Sequence, residues 1–499
     1  MEHSMPATLR IALAQGDGIG PEIMHETTSL LDAAGALAHI EFVPVDMGGS
    51  VFDAGDTRGM TDKAIETVES CGLLFKGPMA TPKGGGGKSI NVTARKIWGA
   101  FANLRHFQSL PGVETVYSRA GVPVDFYVVR ENVEDTYGGI EHRLTPDVIE
   151  CKRIISAPGS EQVARFAFRT ARRLGIDLVH CGHKANIMKM SDGMFLDRFR
   201  AVGDDFPEIQ TQDVIIDALC MGLVQRPHHY RMVVLPNLQG DIVSDLAAGL
   251  VGGLGFAPSA NIGNDIGIFE AVHGTAPDIA GKGIANPTAL ILSSLMMLRH
   301  VGLLKTAAII ENALLVTLES GAHTADFGSA DSPAHSTSEF TGAIVANLGR
   351  SPSGVEANPV PDEDEPALER PERPFTNRMM RVFTQLVERD VGCDVYIKAE
   401  GSALELANAM ERLCEDTPFK LTLISNRGTQ VWPSGSVYTE CVDYYRVRFE
   451  IRPGVEPGSF GQGPSLALLS RLAERFTIAD YQPLRTYDGE RGYSLAQGQ

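Results

Sequence analysis

LRIALAQGDGIGPEIM, residues 9–24, holds a β-rich run (Leu9–Ala14), a glycine-dense turn and a helix start. Pro21 suits a first helical position, where its missing N–H goes unused. The same alternation continues along the chain. Strand-like runs fall at Ile40–Val45, Leu73–Lys76, Asp125–Val129, Leu178–His180, Asp213–Ile216 and Met232–Leu235, with helical periods at Glu161–Leu174 and Ser191–Val202. Further helices are predicted at Ala289–His300, after Asn286-Pro287, and at Thr306–Leu318. Such alternation predicts an α/β sheet packed by helices. The turn reads GDGIG rather than GxGxxG, so the usual dinucleotide fingerprint of a Rossmann fold is missing.

The chain has 499 residues, 44 Lys plus Arg against 62 Asp plus Glu, and a net charge of −18. That charge argues against nucleic acid or an anionic membrane as principal partner. No apolar run reaches the ~18–20 residues of a membrane span, and the start lacks the order of a signal peptide. The seven cysteines form no CxxC pair and no disulfide framework. A cytoplasmic protein of several domains is expected.

The charge is unevenly placed. A segment rich in acid and proline, 351–377, contains SPSGVEANPVPDEDEPALERPERPF and reads as an extended, solvated linker. Beyond it, strand signals at Asp394–Lys398, Lys420–Ser425, Tyr444–Ile451 and Ala479–Thr486 interleave with helices at Ser402–Cys414 and Leu466–Phe476. The order βαββαβ predicts an α+β ferredoxin-like domain over 378–499.

From Ser70 to Val113 the sign inverts: Lys76, Lys83, Lys88, Arg95, Lys96 and Arg105 occur with no acidic residue. At the centre lies KGGGGKSINVTAR, residues 83–95, a glycine loop leading into a helix start where free N–H groups can face an anion. Arg95 can share a helix face with Ser89 and Asn91, and Arg130 ends the run DFYVVR. Several arginines suit a ligand with several carboxylates; a solvated basic face would have the same composition. In QGDIVSD, residues 239–245, a helix beginning near Asp241 places Asp241 and Asp245 at i, i+4, and Asp217 ends the run DVIID. The paired oxygens of Asp241 and Asp245, without His or Cys nearby, suit Mg²⁺ or Mn²⁺, although acidic residues also favour helix N-termini on their own account. Tyr137 and Lys184 could transfer protons beside a metal and other cations, or be structural. The segment 270–287, EAVHGTAPDIAGKGIANP, reads as a long shaped loop able to wrap a nucleotide.

GDGIGPE, KSINVTAR followed by Arg105, RENVEDTYGGIE, HKANIMK, NLQGDIVSD and HGTAPDIAGKGIANP stand in the order found in the β-decarboxylating dehydrogenases. The chain resembles that family, which includes isocitrate, 3-isopropylmalate, homoisocitrate and tartrate dehydrogenases, over about residues 8–348. Its tail is similar to the extra C-terminal domain of the longer, Thermus-type bacterial isocitrate dehydrogenases at FKLTLISNRGTQVWP and DYYRVRF.

The resemblance implies an isocitrate/isopropylmalate dehydrogenase-like core of two domains, distinct from Rossmann. The large cofactor domain would comprise 1–103 and 252–350, and the small dimerisation domain 104–251, in a homodimer with shared active sites. It further implies that Ser89, Asn91, Arg95, Arg105 and Arg130 bind substrate carboxylates and that Tyr137 and the partner's Lys184 transfer protons. Asp241 and Asp245, with Asp217 of the partner subunit, would hold Mg²⁺ or Mn²⁺, and Thr81, His273, Gly274, Asp278, Ile279 and Asn286 would contact the dinucleotide. Ser89 and Asn91 favour isocitrate, since relatives that take isopropylmalate carry apolar residues there and a polar site rejects an apolar analogue. Asp278-Ile279 stands where NADP-dependent relatives carry Lys-Tyr. An aspartate accepts hydrogen bonds from ribose hydroxyls and repels a 2′-phosphate, so NAD is expected. Ala325 and Ser329 likewise replace phosphate-binding residues, whereas Arg226 of the partner subunit could offer a phosphate contact. The implied reaction is decarboxylation of isocitrate to 2-oxoglutarate. The alternatives are a homoisocitrate or tartrate enzyme, or a non-catalytic regulatory subunit.

Overall fold

A computed structural model describes residues 8–80, 89–328, 332–366, 386–435, 438–457 and 462–495. Chain contacts divide it into two units. The first takes residues up to Gly138 and from Ile154 onward through 366; the second takes Gly139–Arg153 together with the described residues from 386 on.

In the first unit ten strands form one sheet among the described residues. Its spatial order is Ile40–Pro44, Leu9–Ala14, Leu73–Lys76, Gly267–Ala271, Pro258–Ile262, Ala102–Gln108, Asp125–Glu131, Met232–Leu235, Leu178–His183 and Gln210–Ile215. The first four strands pair in parallel, as do the last four, while the middle pairings are antiparallel. A sheet with two parallel wings and an antiparallel centre is an α/β fold other than Rossmann. The wings have separate cores. One packs Leu73, Phe75 and Phe269 against the helices Thr288–His300 and Leu304–Glu319; the other packs Val179, Cys181 and Val234 against Ala157–Leu174 and Ser191–Gly203.

Sequence periodicity had little hold on the centre. ANLR, residues 102–105, alternates apolar and polar residues, yet Asn103 and Arg105 are as buried as Ala102 and Leu104. Asp217, read as a strand end, instead lies in the first turn of the helix Ile216–Gln225, the strand having stopped at Ile215. The helix carrying Asp241 begins four residues before it, at Asn237. Glu270 and Ala271, read as loop, finish the strand Gly267–Ala271.

The acidic segment also departs from expectation over its described part. Asp364 accepts the N–H groups of Lys305 (2.8 Å) and Thr306 (3.2 Å) and the Thr306 hydroxyl (2.5 Å), thereby capping a helix whose own N-cap, Leu303, has no side-chain acceptor. Glu319, the last residue of that helix, receives the N–H groups of Ser353, Gly354 and Val355 at 2.8–3.1 Å. Residues 353–364 are therefore fastened along the helix: Asp364 satisfies N–H groups at its start, and the side chain of its last residue, Glu319, takes the amides of 353–355.

In the second unit the strands run Thr429–Trp432, Phe419–Asn426, Tyr444–Ile451, Glu388–Lys398, Thr477–Tyr487 and Glu490–Arg491, all antiparallel. The helices Ala403–Cys414 and Gly463–Ala473 bury Met410, Leu468 and Leu472 against Val395, Val447 and Phe449. The inner four strands have the ferredoxin-like order that βαββαβ predicted. The hairpin Glu141–Thr145 and Val148–Cys151, expected inside 104–251, clusters with this unit, where Thr145 donates to Asp443 (2.9 Å) and Lys152 approaches Asp480 (3.8 Å).

Candidate active site

The strands at the antiparallel centre deliver a buried polar network. Lys76 ends its strand with 1 % of its side chain exposed, ion-paired to Glu270 and donating to Asn91 Oδ1 (2.9 Å). Arg95, on the helix Ile90–Ile97, reaches the other Glu270 oxygen at 3.0 Å, and Asn261 donates to that oxygen at 2.8 Å. Desolvation opposes the charge on Glu270, yet the nearby Lys76 and Arg95 cations bring its carboxyl down to about 2. Asn261 in turn accepts from Asn103 (2.9 Å) and Asn132 (3.0 Å), and Asn103 accepts from Arg105 Nε at 2.7 Å.

Arg105 then turns toward a second group. It donates to Ser244 Oγ (2.6 Å) and stands 3.7 Å from both Asp241 and Asp245. Burial, then the charges of Arg130 and Arg95, lower its pKa to about 9. Arg130 grips Asn237 Oδ1 with two nitrogens (3.0 and 2.7 Å), pairs with Asp241, and lies 4.7 Å over the Tyr137 ring. Gly240 permits this approach, since a Cβ there would fall 2.6 Å from Arg130 Cγ. Tyr137 donates to Asp241 Oδ2 at 2.5 Å. Burial, then that bond, raise its hydroxyl pKa, so the proton stays on at neutral pH. Burial works against ionised Asp241, but Arg130 and the Tyr137 hydroxyl hold it below the ordinary carboxylate value; burial leaves Asp245 above it.

Ser89 precedes the helix that carries Asn91 and Arg95, its carbonyl accepting the Thr93 N–H at 2.9 Å. Thr81, Lys83, Lys88 and Ser329 lie outside the described residues. Lys184 and Asp217 are ion-paired with each other instead of joining Tyr137 and Asp241. Among the described residues no three His, Cys, Asp or Glu side chains are close enough to hold a metal, so one chain assembles only two of the three candidate ligands. Asp241 and Asp245, one helical turn apart with 35 % and 60 % of their side chains exposed, are an all-oxygen pair that fits Mg²⁺ or Mn²⁺.

Around the loop after Ala271, His273 bonds the Gly274 carbonyl through Nδ1 (3.0 Å), and its Nε2 is buried without a partner. That orphaned nitrogen is available to a ligand such as a dinucleotide. Asn286 donates to Asp326 (3.1 Å); Asp278 is exposed and Ile279 packs on the core. The GDGIG turn meets this loop where Ile19 N–H donates to Thr275 O (2.9 Å), and a Cβ on Gly18 would lie 2.1 Å from that oxygen. Asp17 accepts N–H bonds from Gly49 (2.8 Å) and Ala80 (2.7 Å), tying three loops together. Sequence reasoning missed Asp17, Glu270 and Asn261. Asp17 and Glu270 each stand inside a motif singled out above, and that membership was the available signal; Asn261 offered none.

The isocitrate/isopropylmalate dehydrogenase family model matches residues 10–344, and the model for the C-terminal domain of bacterial isocitrate dehydrogenase matches 388–499. The chain belongs to the isocitrate/isopropylmalate dehydrogenase family. It is 43 % identical to the NADP isocitrate dehydrogenase of Thermus thermophilus, over 98 % of this chain and 96 % of that one. Over 68 % of this chain and 93 % of the relative it is 45 % identical to a regulatory subunit of the mitochondrial NAD isocitrate dehydrogenase of Dictyostelium discoideum. The crystal structure of the TT0538 protein from Thermus thermophilus superposes with a TM-score of 0.86 at 43 % identity, covering 98 % of this chain and 96 % of that one.

Proposed function

We propose that the chain oxidatively decarboxylates isocitrate to 2-oxoglutarate, reducing NAD in the presence of Mg²⁺ or Mn²⁺, as a cytoplasmic homodimer. The observation that carries this reading is the gathering of Arg95, Arg105 and Arg130 within electrostatic reach of one another, beside Tyr137 and Asp241. Three guanidiniums suit a tricarboxylate, and Ser89 and Asn91 give its γ-carboxylate further hydrogen-bonding partners. Asp241 and Asp245, with Asp217 of the partner subunit, would hold the cation. When bound, the cation supplies Lewis acidity and the dinucleotide a hydride acceptor. Lys184 of the partner subunit takes the proton of the substrate's 2-hydroxyl as the hydride leaves C2. The β-keto acid then loses CO₂, and Tyr137, kept protonated by its surroundings, returns a proton to C3 of the enol. Exposed Met221, Val224, Leu238 and Ile242, on the helices Ile216–Gln225 and Asn237–Leu250, support a second copy as partner. Retention of Tyr137, Lys184, Asp217, Asp241 and Asp245 favours catalysis over a regulatory role.

Asp278-Ile279 supports NAD, against the NADP of the Thermus relative. Initial rates with isocitrate, homoisocitrate and 3-isopropylmalate, each with NAD and NADP and with or without Mg²⁺, test the whole reading. The expected result is highest efficiency with isocitrate, NAD and Mg²⁺. Higher efficiency with NADP overturns the cofactor choice, and preference for another acid overturns the substrate.

A further inference from the structure

Lys184 opens the turn between the strand Leu178–His183 and the helix Ser191–Gly203. Its backbone N–H donates to Oδ2 of Asp192 at 2.6 Å, and the same oxygen accepts Nε2 of Gln239 at 3.0 Å. Asp192 is fully buried, in the first turn of its helix, where the dipole favours negative charge. Gln239 lies in the first turn of Asn237–Leu250, two residues before Asp241 and six before Asp245. Its Oε1 is buried without a partner. A side chain chosen for packing alone would avoid that desolvation cost, so the amide's worth lies in the bond to Asp192. A carboxylate suits the junction because it accepts several donors at once and needs to donate none.

We infer that Asp192 is a positioning residue that fixes Lys184 and the helix bearing Asp241 and Asp245 against one oxygen. A shift of that helix is then felt at Lys184. The inference rests on the roles proposed for Lys184, Asp241 and Asp245. Where Lys184 serves the partner's centre and Asp241 its own, Asp192 is the point at which one chain couples the two centres.

The test uses the full chain with Asp192→Asn and Gln239→Met. Mn²⁺ binding in the presence of isocitrate is followed by the EPR signal of free Mn²⁺, beside steady-state rates. Asp192→Asn is expected to lower kcat about tenfold or more and to weaken Mn²⁺ binding about threefold or more, with KM for the dinucleotide unchanged. Gln239→Met, which leaves the bond between Asp192 and Lys184 in place, is expected to weaken Mn²⁺ binding while keeping kcat at saturating Mn²⁺ within about twofold. Unaltered Mn²⁺ binding in Gln239→Met overturns the inference, whether or not Asp192→Asn folds. So does Asp192→Asn with a changed kcat and unchanged Mn²⁺ binding. Lys184→Met and Asp241→Asn serve as controls: turnover kept in the first, or Mn²⁺ binding kept in the second, locates the failure in the functional reading instead.

Discussion

The Tyr137 hydroxyl donates to Asp241 at 2.5 Å, so the proposed proton donor and a proposed metal ligand are in direct contact. Removing the hydroxyl takes away the proton but leaves Asp241 its pairing with Arg130. Tyr137→Phe is expected to lower kcat by about 10²–10⁴-fold, the usual worth of a general acid. Mn²⁺ affinity should change far less. Stopped-flow rates together with an Mn²⁺ titration decide it, and equal losses in both would sink the assignment.

Gly240 sets how near the helix Asn237–Leu250 lies to Arg130. A methyl group there meets Arg130 Cγ at 2.6 Å and Cβ at 2.8 Å. Gly240→Ala is expected to destabilise the fold by about 1–3 kcal/mol through overpacking. It should also raise KM for isocitrate more than KM for the dinucleotide, since Arg130 is displaced. Urea unfolding and steady-state kinetics measure the two effects.

Glu270 is held at about 2, below the ordinary value of 4.5, chiefly by Lys76 and then Arg95 against the penalty of burial. A carboxyl with a depressed folded-state pKa stabilises the protein above its unfolded pKa and ceases to do so as pH falls through its folded one. The contribution is therefore complete above about pH 5 and disappears toward pH 2. Glu270→Gln strands a buried lysine and should cost about 3–5 kcal/mol at pH 7. The gap between wild type and variant should shrink as the pH of chemical unfolding is lowered from 5 toward 2; a gap that is constant with pH contradicts the ion pair.

Asp364 caps a helix from 58 residues further along the chain. Asp364→Ala is expected to cost about 1 kcal/mol, as loss of an ordinary N-cap does, with kcat unaffected. A thermal melt beside an activity assay checks both.

Asp278 is exposed on the loop proposed to receive the ribose. Asp278→Lys combined with Ile279→Tyr should move the ratio of kcat/KM for NADP over NAD upward by about tenfold or more, as a repulsive group is exchanged for an attractive one. No shift in that ratio removes Asp278 from the account of specificity.

Much of this was legible in the sequence because it followed periodic or motif rules. The wings of the sheet show as apolar runs such as Leu73–Lys76 and Met232–Leu235, and the tail as βαββαβ. The antiparallel centre was harder because its strands bury Asn103, Arg105, Asn261 and Glu270, which hydropathy reads as surface. Asn103 and Asn261 are buried because each finds its partner on a neighbouring strand about 158 residues away in sequence. The same distance effect hid Asp364, which reads as one more solvated acid of its segment and instead meets the N-terminus of Leu304–Glu319. The arginines and aspartates of the candidate site were found by sign and spacing, but their order in space depends on Gly240 and Asn237, which carry no charge to attract notice.

The strand Leu73–Lys76 lies between Leu9–Ala14, made just before it, and Gly267–Ala271, made long after. During synthesis Lys76 emerges about 190 residues ahead of Glu270, its counter-ion in the finished sheet. At about 5–20 residues per second the ribosome takes roughly ten to forty seconds to cover that distance. Throughout that interval one edge of the N-terminal wing lacks its neighbour and Lys76 lacks Glu270, so a hydrated Lys76 can ward off premature pairing with another nascent chain.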